Sequence, residues 1–268
     1  MPALLDHVHL PLIGLAIGVI VGLTGVGGGS MMTPILVGGL GVPPAIAVGT
    51  DLLFAAITKS FGAIAHWRVG NVARRLLVLL ILASLTGAGG AFALVHALQP
   101  DISALNRVIR GALGFALFGT AIALLIRPWL LRLRGTQTQG NADAAQDIDG
   151  HKPVWPTVLL GLAIGSVVTL SSVGAGAIGV TALLLLHPAL PISRIVGTDI
   201  AYAVPLTAAA GLAHASVGHL DVTLLFALLI GSVPGILLGA RLSKLVPEVA
   251  TRSLLVGALG FAGAKLVI

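Results

Sequence analysis

The chain has 268 residues, of which 57% are hydrophobic and 9% charged, with a formal net charge of +6 and no cysteine. Soluble domains carry about 25% charged residues, so the composition excludes a soluble globule and points to a polytopic membrane protein. Without cysteine there are no disulfides, thiolate metal sites or thiol nucleophiles, and the basic residues sit mostly in loops, where topology rather than nucleic acid accounts for them.

No basic region or small-residue cleavage site precedes the first apolar tract, so that tract is expected to stay in the mature protein. From His7 to Thr50 there is no Asp, Glu, Lys or Arg. Leu10–Val42 would run roughly 50 Å as one helix, too long for a hydrocarbon core of about 30 Å. The run Thr24-Gly25-Val26-Gly27-Gly28-Gly29-Ser30 divides it into two arms, each too short to span alone. Two half-helices meeting at a break near the bilayer midplane are therefore predicted. Backbone groups freed there must be buried in protein or line a wet cavity, as at the solute sites of many secondary transporters. Three spans are predicted next, at Ala45–Ala65, Leu76–Leu98 and Val108–Ile126, followed by a flexible linker at Arg127–Pro153. The second half repeats the order: Trp155–His187, broken at Leu170–Ala177, then Ile195–His214, Val222–Leu242 and Ser253–Val267. The chain thus divides into a first transmembrane repeat (1–127), a cytoplasmic linker (128–153) and a second repeat (154–268), an all-α membrane fold.

Short motifs carry the duplication. Gly14-Leu15-Ala16-Ile17-Gly18 returns as Gly161 to Gly165, and Val48-Gly49-Thr50-Asp51 as Val196-Gly197-Thr198-Asp199. His66 with Val69-Gly70 returns as His214 with Val217-Gly218, and Gly111 to Ala116 as Gly257 to Ala262. If each broken segment is a re-entrant hairpin, 11 of the 15 Lys and Arg residues fall on one side, which is then the cytoplasm. Both termini lie outside, each unit crosses three times, and the two units are inverted relative to one another. An inverted repeat implies alternating access around a site between the halves.

Asp51 and Asp199 hold matched positions near the starts of spans. An intramembrane carboxylate is costly and usually serves a pathway or relay, although Thr-Asp also makes a helix cap. Thr50 and Thr198 are expected to point hydroxyls into the same cavity. Lys59, inside a span, suits neutralisation of a bound anion or pairing with an aspartate. His66 and His214 end their spans, where an imidazole could shuttle a proton or simply lie at the interface. Thr24, Gly25, Gly27, Gly28, Gly29 and Ser30, with Ser171, Ser172, Gly174 and Gly176, are expected to bring backbone N–H groups and hydroxyls to an anion. Tight helix packing is the alternative use of such glycines. No metal-ligand spacing is present, no cofactor is implied, and the glycine run lacks the Lys of a phosphate-binding loop.

Gly22-Leu23-Thr24-Gly25-Val26-Gly27-Gly28-Gly29, Pro34 and Ala47-Val48-Gly49-Thr50-Asp51-Leu52 resemble the TauE/SafE family of sulfite and organosulfur exporters. Val173-Gly174-Ala175-Gly176 and Val196-Gly197-Thr198-Asp199 resemble the same signature repeated. The resemblance implies a small inner-membrane permease exporting sulfur-containing anions such as sulfite or sulfonates. Asp51 and Asp199 stand where many members carry Ser, which suggests proton or sodium coupling, and Ala175 replaces a glycine. The implied partners are a small anion, a coupling proton or sodium, and the bilayer; nucleic acid is not one, and a second copy of the chain is compatible. A cation permease using the two aspartates is the alternative. A hydrolase is disfavoured because the histidines lie far from the serines at the breaks.

Overall fold

A computed structural model of the chain describes residues 9–24, 29–98, 101–133 and 154–242, with six single positions between 253 and 263. The described residues form helices and no strands. The helices are α1 (His9–Thr24), α2 (Gly29–Gly38), α3 (Pro44–Arg68), α4 (Arg74–Leu98), α5 (Ile102–Leu133), α6 (Trp155–Ser171), α7 (Ala177–Leu186), α8 (Ile192–Ser216) and α9 (Val222–Leu242). Five of them, α3, α4, α5, α8 and α9, are long and apolar enough to cross a bilayer. The other four are the arms of the two broken segments: α1 and α2 have 16 and 10 residues, α6 and α7 have 17 and 10. Ten residues rise only about 15 Å, half a hydrocarbon core, so α2 and α7 cannot span. Leu82, Phe115, Ile122, Phe226, Ile230 and Leu237 are exposed, and together they make the outer surface one that lipid would cover.

The last predicted span, Ser253–Val267, is described only at single positions, all helical, and 134–153 of the linker lie outside the described residues. Helix α5 runs to Leu133, past the predicted end at Ile126. Trp129, Leu130, Leu131 and Leu133 continue its apolar character, and Pro128 is accommodated within the helix.

The second broken segment folds back on itself. Thr157, near the start of α6, and His187, just past α7, share a hydrogen bond of 2.9 Å, so the segment ends beside its beginning. The glycine pairs of the duplicated Gly-Leu-Ala-Ile-Gly motif are crossing points. A Cβ on Gly18 would lie 2.4 Å from the Ser232 carbonyl oxygen, and one on Gly165 would lie 2.0 Å from that of Ser84. In both places the first arm of one half runs parallel to the fourth helix of the other, α1 on α9 and α6 on α4. The matched helices α3 and α8 cross antiparallel: Gly49 meets His214, Gly62 meets Ile200, and His66 meets Gly197. Matched residues of the two halves thus meet at these crossings.

Candidate functional site

The repeated His-x-x-Val-Gly motif ends α3 and α8 in the same way. Gly70 and Gly218 adopt φ of +73° and +81°, which a glycine takes without strain. The N–H of Asn71 reaches back to the His66 carbonyl and that of His219 to the His214 carbonyl, both at 2.9 Å, closing a helix-stop turn. Each stop then presses into the opposite half. The Asn71 carbonyl oxygen would lie 1.9 Å from a Cβ on Gly197, and the His219 carbonyl oxygen 1.9 Å from a Cβ on Gly49. Two residues on, Ala73 N–H donates to the Thr198 hydroxyl at 2.9 Å and Asp221 N–H donates to the Thr50 hydroxyl at 3.1 Å. Gly-Thr of the duplicated Val-Gly-Thr-Asp motif is thus a pair of latches between the halves. The Thr50 and Thr198 hydroxyls, expected to point into the cavity, accept these N–H groups from the opposite half's loop. His66 and His214 stand at the same latches, and the buried His214 donates from Nε2 to the Thr169 carbonyl at 2.9 Å.

The aspartates of the motif turn the other way, toward the breaks. Asp51 is fully buried and accepts a hydrogen bond on Oδ2 from Thr33, which lies on α2 just after the first break. The Ser172 hydroxyl approaches the same carboxylate, yet forms no hydrogen bond of good geometry. Asp199 packs on Gly179 of α7, where a Cβ would lie 2.2 Å from Oδ1 and 2.9 Å from the Tyr202 hydroxyl. Only a glycine at 179 leaves room for both groups.

Lys59 joins the halves. Its Nζ donates to the Ala175 carbonyl in the second break at 3.0 Å, and it lies within electrostatic reach of both Asp51 and Asp199. Arg127 of α5 is within reach of Asp199. The break is shaped by Ser172, Gly174 and Gly176, with φ of +58°, +126° and +135°. Ser171 is spent inside it, donating to the Val167 carbonyl and accepting the Val173 N–H. Beside it the buried Ser172 Oγ and Asp51 Oδ1 have no hydrogen bond of good geometry, and the Tyr202 hydroxyl and Asp199 Oδ1 approach each other over Gly179 without one. Buried polar groups are nearly always satisfied, so unsatisfied atoms gathered beside the break make it the candidate site.

Of the expected site residues, Asp51, Asp199, Lys59, Ser171, Ser172, Gly174 and Gly176 come together here. Gly25, Gly27 and Gly28 lie outside the described residues, and Thr24, Gly29 and Ser30 are described only as helix ends on either side of the first break. Thr33, Tyr202, Gly179 and Arg127 are additions. Tyr202 carried a signal, being the single tyrosine of the chain and one turn after Asp199.

A model of the family described as Sulfite exporter TauE/SafE matches residues 10–266. The chain is 36% identical over 260 residues to the probable membrane transporter protein YjnA of Bacillus subtilis (strain 168), covering 97% of this chain and 99% of that protein. It is 28% identical over 240 residues to the probable membrane transporter protein YdhB of the same organism, covering 88% and 90% respectively. No solved structure matches the chain.

Proposed function

The chain belongs to the TauE/SafE sulfite exporter family and is a membrane transporter rather than an enzyme, and on that premise we propose that it exports a small sulfur-containing oxyanion, sulfite or an organosulfonate, by alternating access. The solute sits at the second break, facing Lys59, the hydroxyls of Ser172 and Tyr202, and the N-terminal end of α7. The single observation that carries this reading is Lys59 of one half bound to the Ala175 carbonyl in the break of the other. The first break, through Gly25, Gly27, Gly28, Gly29 and Ser30, supplies the matching half-site. Antiparallel crossing of α3 and α8 supports an inverted repeat, whose two arrangements open the site to opposite faces.

Charge balance gives the reason for coupling. Asp51 and Asp199 are set against two cations, Lys59 and Arg127. An oxyanion adds excess negative charge, and an uncompensated buried charge costs several kcal/mol. A proton or sodium ion taken by one carboxylate offsets it, so solute and cation bind together. His66 and His214, at the two latches, flank the carboxylates from opposite ends of α3 and α8.

The test is sulfite uptake into proteoliposomes under an imposed proton or sodium gradient. Gradient-driven uptake that disappears in Lys59→Met supports the reading, and unaltered uptake in that variant sinks it. Two buried carboxylates with open oxygens also suit a cation permease. Divalent-metal uptake that needs Asp51 and Asp199 while sulfite is ignored would establish that alternative.

A further inference from the structure

Away from the breaks, a cavity of about 170 Å³ opens between α4, α5, α6 and the loop after α8. Phe92, Val95, Leu105 and Ile109 make its apolar wall, and His96, His214 and His219 bring three imidazoles to it. His214 is 5% exposed, and its ring lies 5.7 Å from that of His219 and edge-on to Phe92 at 6.1 Å. A carbonyl can only accept, so the bond to Thr169 places the proton of neutral His214 on Nε2. Its Nδ1 is then a bare acceptor, buried and without a donor, and Nδ1 of His219 is likewise buried and without a partner. Nothing in the central site uses these atoms. The matched loop of the first half has Asn71 where His219 stands, so the paired imidazoles belong to one end of the molecule only.

A metal ion does not fit: no three His, Asp or Glu side chains converge as ligands among the described residues. An open imidazole acceptor with a second imidazole beside it, against an apolar wall, calls for a guest that brings its own proton. We propose that the cavity is a second, shallower solute site, on the non-cytoplasmic face, which takes a small weak oxyacid together with its proton. The acid's O–H bond breaks, its electron pair stays on the oxyanion, and an N–H bond forms at Nδ1 of His214. The resulting imidazolium, with His219, holds the anion. The titratable groups facing His214 are His219 in the loop and His96 on α4; α6 offers the Thr169 carbonyl, α3 the backbone at Gly49, and α5 only apolar side chains. The face follows from the loop charges, since the cavity lies at the end away from Arg68, Arg74, Arg75 and Arg194. The proposal rests on the central reading for the class of solute, though not for the existence of the cavity.

The experiment is equilibrium binding of radiolabelled sulfite to the full chain in detergent at pH 6 and pH 8. Two sites are expected at pH 6. One of them should weaken about tenfold per pH unit on the alkaline side, as linkage to one proton requires. His219→Asn, a change the matched Asn71 shows the loop geometry accepts, should remove that site and leave the other. His214→Gln, which can still donate to Thr169 yet cannot be protonated, should also remove it; size-exclusion profiles establish that both variants fold. A single site lost in Lys59→Met and unchanged in His219→Asn would overturn the vestibular site while leaving the central one standing. No sulfite bound at either pH would overturn both.

Discussion

Replacing Gly49 with alanine tests the latch between the halves. The new Cβ would sit 1.9 Å from the His219 carbonyl oxygen, where ordinary contact begins at 3.4 Å. The loop must therefore retreat by about 1.5 Å, an overpacking that costs about 1–3 kcal/mol. The same retreat stretches the 3.1 Å bond from Asp221 N–H to Thr50 beyond hydrogen-bonding range. Leaving that pair unmade adds about 1–3 kcal/mol. The expected loss is thus about 4 kcal/mol, with about 2 as the floor. Gly197→Ala, facing the Asn71 carbonyl oxygen at the same 1.9 Å, should match it. Gly89→Ala is the control, because a Cβ there meets nothing within 4 Å and alanine is the better helix former. Denaturant unfolding of the purified protein in detergent micelles reads all three. Gly49→Ala and Gly197→Ala variants within 0.5 kcal/mol of the parent would refute the latch.

Asp51→Asn and Asp199→Asn should each leave sulfite binding measurable and remove the response of transport to a proton or sodium gradient; the response surviving in both variants would end the coupling argument. Ser172→Ala should weaken sulfite about tenfold, roughly the worth of one hydrogen bond to a charged group, as read by competition binding. Burial holds the His219 imidazole below its usual pKa of about 6.5. The unfolded chain then binds the extra proton, so stability is full above about pH 6.5 and declines as pH falls below it. Melting of solute-free protein should drop on acidification from pH 7.5 to 5, with a smaller drop in His219→Asn; a melting point that rises instead contradicts this.

The duplication was legible because matched motifs recur in order, and the breaks were legible because a 33-residue apolar run cannot fit a bilayer as one helix. What Gly49, Thr50 and the histidine stops do was not legible. A repeated residue announces that both halves need it, while its partner lies in the other half, about 148 positions away. Asp51 could be read as intramembrane, but not that Thr33 would hold it. Lys59 could be read as an unmatched cation, but not that it would reach across to Ala175. The apolar run pauses at Arg127, which puts it in the predicted linker, although Trp129 to Leu133 carry the helix onward.

The most direct measurement is counterflow of radiolabelled sulfite in proteoliposomes loaded with unlabelled sulfite. The account predicts exchange by the parent protein, a loss of tenfold or more in Lys59→Met, and exchange without pH dependence in Asp51→Asn. Parent protein that exchanges no sulfite, or a Lys59→Met variant that exchanges it as fast as the parent, would contradict a solute site built from one half's lysine and the other half's break.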